Sequence, residues 1–270
     1  MPDFSHVIEI ILENREYGFV AGNTREMPFF NRMADQYTLL TQYYAVTHPS
    51  LPNYIAMIAG STLGIHTDCS SCYVNAPNLA DLIEASHRTW KSYQEDMPSP
   101  CYLGTTSLYA ERHNPFVYFD DIRTDKQRCD ANVVPLPVLD SDLSGPGLPD
   151  YAFITPNICN DAHDCSLSVA DKWLSGMLGQ LMGSKSYDSH TLIVITFDEG
   201  QGNHSCCGLG TSAGGQVATL LISPLVKSGF RDSTPYSHYS VLKTIAVSWG
   251  LTQLGHAADA ETNLIVAPWK

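Results

Sequence analysis

Apolar runs bounded by polar or turn-forming residues recur along the chain. Five of these runs have the length of a buried strand, and they cover residues 6–12, 38–46, 150–156, 191–197 and 216–224. Apolar positions with helical spacing fill residues 78–87 and 237–250. Strands that alternate with helices predict a mainly parallel central sheet with helices on both faces. We therefore expect a single α/β domain over residues 1–270.

Residues 95–149 interrupt this alternation, because they are rich in proline, aspartate and glycine. This composition predicts a long insertion or lid rather than another strand and helix. The aromatic stretch "NPFVYF" at residues 114–119 has two interpretations. It is either a platform for the organic part of a substrate or the packed core of the lid.

Polar side chains follow four of the predicted strands, where each strand ends. Ligands of open α/β sheets bind outside the carboxyl ends of the strands, so these side chains are expected to converge on one site. A single acidic residue after a strand is commonly a turn former or a helix cap, but four such clusters make that interpretation weak. The clusters are Glu13 with Asn14, His48 with Ser50, Asn157 with Asp161 and His163, and Asp198 with Glu199.

Ser50 lies between Pro49 and Pro52, directly before a predicted apolar helix. Proline is tolerated in a first helical turn, so Pro52 places Ser50 at the positive N-terminal end of the helix. Ser50 could be a plain helix cap. It could instead be a nucleophile that attacks a phosphoryl group held at the same helix end. No G-x-S-x-G elbow is present, so such a serine would need activation by a metal ion.

The residues around this serine carry mostly oxygen donors. Glu13, Asn14, Asp198 and Glu199 offer carboxylate and amide oxygens, which hard cations prefer. We therefore expect one divalent cation, Mg²⁺ or Ca²⁺ rather than Zn²⁺, with the hydroxyl of Ser50 as a further ligand.

Composition and charge restrict the partners. The chain is 44% hydrophobic and 16% charged, which is typical of a folded globular protein. A net charge of −13 with only 15 Lys and Arg residues leaves no basic surface for a nucleic-acid polymer. No apolar run approaches the roughly 18 residues of a membrane span. The expected partner is a small phosphorylated substrate.

The eight cysteines indicate an oxidising compartment. Three close pairs favour the disulfides Cys69–Cys72, Cys159–Cys165 and Cys206–Cys207, which leaves Cys101 and Cys129 to pair with each other. A zinc site on "CSSC" is the alternative, but no second C-x-x-C stands at zinc-finger spacing. We expect a secreted, mature domain, although "MPDFSHVIEI" does not resemble a signal peptide.

Five segments in order resemble the secreted bacterial phosphoesterase family of acid phosphatases and phospholipases C, within the alkaline phosphatase superfamily. The resemblance runs from about residue 6 to residue 250, and its motifs are "HVIEIILENREYG", "THPSLPNYIAMIAGST", "PNICNDAHDC", "VITFDEG" and "HYSVLKTI". "S-L-P-N" also looks like the "T-x-P-N" of nucleotide pyrophosphatases. The resemblance implies that Ser50 is the nucleophile and that Glu13, Asn14, Asp198 and Glu199 are metal ligands.

This chain departs from the two-metal members of the superfamily. Asn157, a neutral amide, stands where those members carry a carboxylate ligand. The resemblance therefore implies one metal, with phosphate oxygens held by Asn157, Asp161, His163 and His238. The two histidines could instead be residues packed in place. If they do hold phosphate, they do so best when protonated, which predicts activity on the acid side, at roughly pH 5 to 6.5.

These observations predict a secreted, metal-dependent acid phosphomonoesterase that forms a phosphoserine. A phosphodiesterase or phospholipase C on the same site is the first alternative. The second is a protein that binds a phosphorylated ligand without turnover. The chain ends 20 residues after residue 250, so we expect no additional phospholipase domain and a preference for monoesters.

Overall fold

A computed structural model describes residues 1–211 and 213–270. Within these residues, nine strands form one sheet around which the helices pack. The strands are His6–Leu12 (β1), Thr38–Tyr44 (β2), Trp90–Gln94 (β3), Val133–Pro135 (β4), Tyr151–Thr155 (β5), Thr191–Phe197 (β6), Gln216–Ile222 (β7), Phe230–Asp232 (β8) and Tyr236–Ser237 (β9).

The sheet has the order β4-β3-β5-β1-β6-β7-β2-β8, and β9 pairs with β2. The pairings of β1 with β5 and β6 are parallel, while β7 is antiparallel to both β6 and β2. Two antiparallel steps restore the direction, so β2 runs the same way as β6. The carboxyl ends of β1, β2, β5 and β6 therefore lie at the same edge of the sheet.

The helices pack around this sheet, with α2 against α8 and α3 against α9. The long helix α8 buries an apolar stripe that includes Leu174, Leu178 and Leu181. The helices are Tyr17–Val20 (α1), Pro28–Gln36 (α2), Ser50–Ala59 (α3), Leu79–Ala85 (α4), Asp120–Arg123 (α5), Lys126–Asn132 (α6), Val138–Ser144 (α7), Leu167–Gly183 (α8) and His238–Trp249 (α9). None of the helices in the described part of the chain is long and apolar enough to cross a membrane.

The predicted fold class and the five predicted strands are confirmed, to within two residues at each end. The two predicted helices are confirmed as α4 and α9. Strand β3 was not predicted, because polar residues interrupt the run "WKSYQ", although three of its side chains besides Trp90 are buried.

The segment at 95–149 contributes three helices, two short 3₁₀ turns and the edge strand β4. Its aromatic stretch is fully inside the protein, and Phe116, Tyr118 and Phe119 have no exposed surface. Of the two interpretations of "NPFVYF", the structure therefore supports packed core, because a buried ring cannot receive a substrate group.

All four expected disulfides are present, and no cysteine of the described residues is free. The zinc interpretation of "CSSC" is wrong, since Cys69 and Cys72 are bonded to each other. The disulfides close loops of very different size, from a separation of 28 residues for Cys101–Cys129 to a separation of one for Cys206–Cys207.

This difference in loop size predicts unequal contributions to stability. Replacing Cys101 and Cys129 together with alanine should lower the free energy of unfolding by about 3–4 kcal/mol, because the unfolded chain gains the entropy of a long open loop. The matched double variant at Cys206 and Cys207 should lose less than about 1 kcal/mol from loop entropy, because its loop is minimal. Urea unfolding of both variants measures the difference. Equal losses would contradict this ranking.

Candidate functional site

The four polar clusters meet at the common edge of the sheet. Glu13 follows β1, Ser50 follows β2, and Asp198 follows β6; Asp161 lies in the turn after β5. The backbone N–H of Glu13 donates to the carbonyl of Asp161 over 2.8 Å, and that of Asp198 donates to the carbonyl of Leu12 over 2.9 Å. Backbone hydrogen bonds thus fix these strand ends against one another. The convergence predicted from the strand ends is present.

Ser50 is the first residue of α3, and Pro49 occupies the cap position. The hydroxyl of Ser50 does not cap the helix; it donates to Oε2 of Glu13 over 3.0 Å. A carboxylate from another segment accepts from the first turn instead, since the N–H of Leu51 donates to Oδ1 of Asp68 over 2.9 Å. The plain-cap interpretation of Ser50 is therefore wrong.

Glu13 is fully buried at the centre of the site. Its Oε1 accepts a hydrogen bond from the hydroxyl of Tyr54 over 2.6 Å, and its Oε2 accepts from the side-chain amide of Asn14 over 3.3 Å, besides the bond from Ser50. Burial, followed by the charges of Asp198 and Asp161, raises the pKa of Glu13 well above its usual range. A cation among these carboxylates would relieve the repulsion.

Asp198 is equally buried and only partly hydrogen-bonded. Its Oδ1 accepts from the backbone N–H of Asn14 over 3.0 Å, whereas its Oδ2 has no hydrogen-bond partner among the described residues. Burial and the charge of Glu199 raise the pKa of Asp198 well above its usual range. An unpartnered, buried carboxylate oxygen is what a metal site contains before its ion is added.

Glu199 stands beside Asp198 but faces a different partner. Its Oε2 forms a short ion pair with Nδ1 of His48, whose Nε2 lies 3.0 Å from the carbonyl oxygen of Gly202. The hydrogen bond with Glu199 raises the pKa of His48 to about 9. His48 thus pairs with Glu199. Of the predicted metal ligands, Glu199 is the one that already has a positively charged protein partner.

His113 completes the buried centre and was not predicted. Its Nε2 lies 3.3 Å from Oε1 of Glu13, and its Nδ1 lies 3.3 Å from Oδ2 of Asp161. Its ring stacks on that of Tyr54 with 5.3 Å between centroids and an interplanar angle of 8°. Burial lowers the pKa of His113 well below its usual value, which keeps a ring nitrogen available as a ligand. The sequence offered no signal, because His113 lies in the segment that was interpreted as an insertion.

Glu13, His113 and Asp161 form a buried group that could hold a metal ion. Nε2 of His113 and Oδ2 of Asp161 have no hydrogen-bond partner within the part of the chain that the structure describes. Burial raises the pKa of Asp161 to about 7. The donor set therefore suits a divalent cation, and Glu13 is shared between this group and the one formed by Asn14, Ser50 and Asp198.

Two of the four residues predicted to hold phosphate form hydrogen bonds with protein groups instead. The side-chain oxygen of Asn157 accepts from the backbone N–H groups of Cys159 and Asn160, and its amide nitrogen donates to Asp96 over 2.6 Å. Asn157 therefore stabilises the turn after β5 through an Asx motif. In His238, Nε2 donates to the carbonyl of Asp198 over 2.6 Å, while Nδ1 lies 3.4 Å from the hydroxyl of Tyr43.

Burial lowers the pKa of His238 to about 4, which disfavours the protonated form that was expected to hold phosphate. The ring anchors the first turn of α9 to the strand end that carries Asp198. This geometry favours the alternative that His238 is a histidine packed in place.

His163 lies next to the buried centre, with its ring centroid 6.0 Å from that of His113, and its side chain is 30% exposed. Its Nδ1 is 2.6 Å from Oδ1 of Asp164, and its Nε2 is 3.1 Å from a terminal nitrogen of Arg112. Arginine can only donate, so Nε2 of His163 accepts and Nδ1 carries the proton. The positive charge beside His163 belongs to Arg112, a second residue that sequence reasoning missed.

Solved structures that include members of the alkaline phosphatase superfamily share the fold of this chain. A member of that superfamily from Vibrio parahaemolyticus matches with a TM-score of 0.64 at 12% identity, over 95% of this chain and 70% of the other. A phosphonate monoester hydrolase from Silicibacter pomeroyi matches with a TM-score of 0.61 at 13% identity, over 92% and 74%. At these identities the likeness shows the fold alone.

The chain belongs to the Phosphoesterase family, whose sequence model matches residues 19–252. It is 33% identical over 264 residues to an acid phosphatase of Aspergillus fumigatus, covering 93% of this chain and 56% of that protein. It is 33% identical over 267 residues to a phosphatidylinositol-3-phosphatase of Mycobacterium tuberculosis, covering 96% and 82%. A phosphate-repressible acid phosphatase of Penicillium chrysogenum is 32% identical, and the chain spans 63% of its length.

Proposed function

We propose that this protein is a metal-dependent phosphomonoesterase that acts through a phosphoserine at Ser50. One observation carries the proposal: the hydroxyl of Ser50, on the first residue of a buried helix, hydrogen-bonds to a carboxylate at the centre of the site. Family membership and the phosphatase names of the relatives support the reaction class.

One divalent cation would be held by Glu13, Asn14, Asp198 and Ser50. Glu199 lies at the edge of this group, and His113 and Asp161 are the donors on the other side of Glu13. Oxygen donors predominate, so Mg²⁺ or Ca²⁺ fits better than Zn²⁺. When bound, the cation supplies positive charge that lowers the pKa of a serine hydroxyl and stabilises phosphoryl oxygens.

The residues of the chain orient the reaction. The hydrogen bond to Glu13 directs the proton of Ser50 away from the substrate, which leaves a lone pair on Oγ to attack phosphorus. The bond from Oγ to phosphorus forms as the bond to the leaving-group oxygen breaks; the proton of Ser50 passes to Glu13, and the leaving-group oxygen takes a proton from solvent. In the second step a water-derived oxygen bonds to phosphorus as the bond to Oγ breaks, Glu13 returns the proton to Oγ, and inorganic phosphate leaves. The N-terminus of α3 favours the negative charge of the phosphoryl group throughout.

The four disulfides support a location in an oxidising compartment outside the cytosol, which is the secreted location predicted above. The substrate is a small phosphorylated molecule. A monoester is favoured over a diester, because the buried aromatic stretch at residues 114–119 offers no platform for a second organic group.

A substrate panel tests this proposal. We expect p-nitrophenyl phosphate and mononucleotides to be hydrolysed with a kcat/KM at least about tenfold higher than that for bis-p-nitrophenyl phosphate or phosphatidylcholine, because a monoester dianion offers more charge to a cationic site. A tenfold preference for the diesters would make the protein a phosphodiesterase or phospholipase C. Tight phosphate binding with no turnover of any ester would make it a binding protein.

A further inference from the structure

We propose that Arg112 is a specificity-determining residue, which binds non-bridging oxygens of the substrate's phosphoryl group and favours dianionic monoesters over monoanionic diesters. The inference rests on the proposed function of the Ser50 site. The first observation behind it is the position of Arg112. Arg112 belongs to the short 3₁₀ turn Glu111–His113, which packs against α3, and its neighbour His113 lies inside the buried centre.

Two contacts place the guanidinium of Arg112 beside residues that border the site. A terminal nitrogen donates to Nε2 of His163 over 3.1 Å, and Nε lies 3.7 Å from Oδ2 of Asp68. The other oxygen of the same Asp68 carboxylate accepts from the N–H of Leu51, the residue after Ser50. A single carboxylate thus joins Arg112 to the helix turn that carries the proposed nucleophile.

Buried carboxylates lie next to the proposed nucleophile. The hydroxyl of Ser50 donates to Glu13, which lies in one buried group with Asp161, and Asp198 is buried at the neighbouring strand end. A phosphoryl dianion that enters this site needs positive charge in addition to the proposed metal. Arg112 supplies it, because the arginine side chain keeps its positive charge in proteins.

The hydrogen-bonding capacity of Arg112 is largely unused. Within residues 1–211 and 213–270, its side chain makes one hydrogen bond, the one to His163. Arg128, by contrast, is saturated by Asp81, Glu84 and Asp121. A guanidinium has five N–H donors in a planar fork that matches two phosphoryl oxygens. The remaining donors of Arg112 are therefore free to bind phosphate.

The substitutions Arg112→Met and Arg112→Lys test the assignment, with Arg123→Met as the matched control. Arg123 lies in the same segment and is 26% exposed, against 25% for Arg112, but it pairs with Asp120 and stacks on Tyr73 away from the site. All variants are first compared with the wild type by thermal unfolding. Then kcat/KM is measured for p-nitrophenyl phosphate and bis-p-nitrophenyl phosphate, together with inhibition by inorganic phosphate.

For Arg112→Met we expect kcat/KM to fall about 100-fold for the monoester and about tenfold or less for the diester. Removing a charge-assisted contact costs a dianion more transition-state stabilisation than it costs a monoanion. The inhibition constant of inorganic phosphate should rise about tenfold. Arg112→Lys should recover part of both losses, since it keeps the charge without the fork. Arg123→Met should behave as the wild type does.

Equal losses on both esters, or no loss on either, would overturn the assignment, because a residue that only supports the local fold affects both substrates alike. If the wild type hydrolyses neither ester, the proposed function fails. The role of Arg112 is then decided by calorimetric titration with inorganic phosphate alone. Binding about tenfold weaker in Arg112→Met supports it, and equal binding overturns it.

Discussion

Ser50→Ala is expected to abolish turnover, with kcat reduced by about 10⁴-fold or more, while the protein folds normally. The size of the loss follows from removing the atom that forms the bond to phosphorus, since activity lost with a nucleophile is not recovered by the remaining groups. Folding should be retained because the hydroxyl does not cap α3; the first turn is held by Asp68 instead. The measurement is steady-state hydrolysis of p-nitrophenyl phosphate.

A suitable control is Ser61→Ala, just beyond the other end of α3. Among the described residues, the hydroxyl of Ser61 accepts only from the backbone N–H of Leu63, over 3.1 Å, so its loss should leave kcat within about twofold of wild type. Rapid quenching followed by mass spectrometry should find one phosphoryl group on the peptide that contains Ser50 in the wild type. Activity of Ser50→Ala near that of the wild type would refute the phosphoserine mechanism.

Removing the divalent cations from the protein should abolish activity as completely as Ser50→Ala does, and adding them back should restore it. Without a cation, Glu13, Asp198 and Asp161 are buried without a compensating charge, and burial is the main cause of their raised pKa values. Binding of a cation to the folded state alone also adds stability by mass action. At 100 times the dissociation constant we expect about 2.7 kcal/mol of added stability, and a rise in Tm of about 5 °C or more.

Glu13→Gln and Glu9→Gln make a matched pair for this experiment. Glu9 lies on β1 and Glu13 directly follows it, and both are buried. Glu9 lies four residues before Glu13 and accepts a hydrogen bond from the hydroxyl of Tyr151 over 2.9 Å. Glu13→Gln should lose both the activity and the rise in Tm, because a central donor of the cation has lost its charge. Glu9→Gln should keep the rise in Tm and the restoration of activity.

Elemental analysis of the stripped protein decides the outcome. Full activity in protein that contains no metal would refute the metal dependence, whatever the variants do. A rise in Tm that persists in Glu13→Gln would place the cation elsewhere in the chain. The ions that restore activity also test the preference for Mg²⁺ or Ca²⁺ over Zn²⁺, which follows from the predominance of oxygen donors.

The amino-acid sequence determined the frame of this protein and the positions of its main polar residues. Strands β1, β2, β5, β6 and β7 are apolar runs, and burial on both faces of a parallel sheet requires such runs. The carboxyl ends of parallel strands share an edge, so the convergence of Glu13, Ser50 and Asp198 followed from local pattern and general topology. The pairing of the cysteines followed from three close pairs along the chain, which left Cys101 and Cys129 to each other.

Only the tertiary structure decided which of the polar side chains face the site. Asn157 follows β5 and His238 follows β9, but their side chains hydrogen-bond to nearby backbone groups. A buried polar atom takes the closest partner that packing offers. His113 and Arg112 come from a segment with no strand signal, and they reach the site because Phe116 and its neighbours anchor that segment in the core. Contacts between residues far apart in sequence depend on how the segments pack, and periodicity along one segment carries no record of that packing.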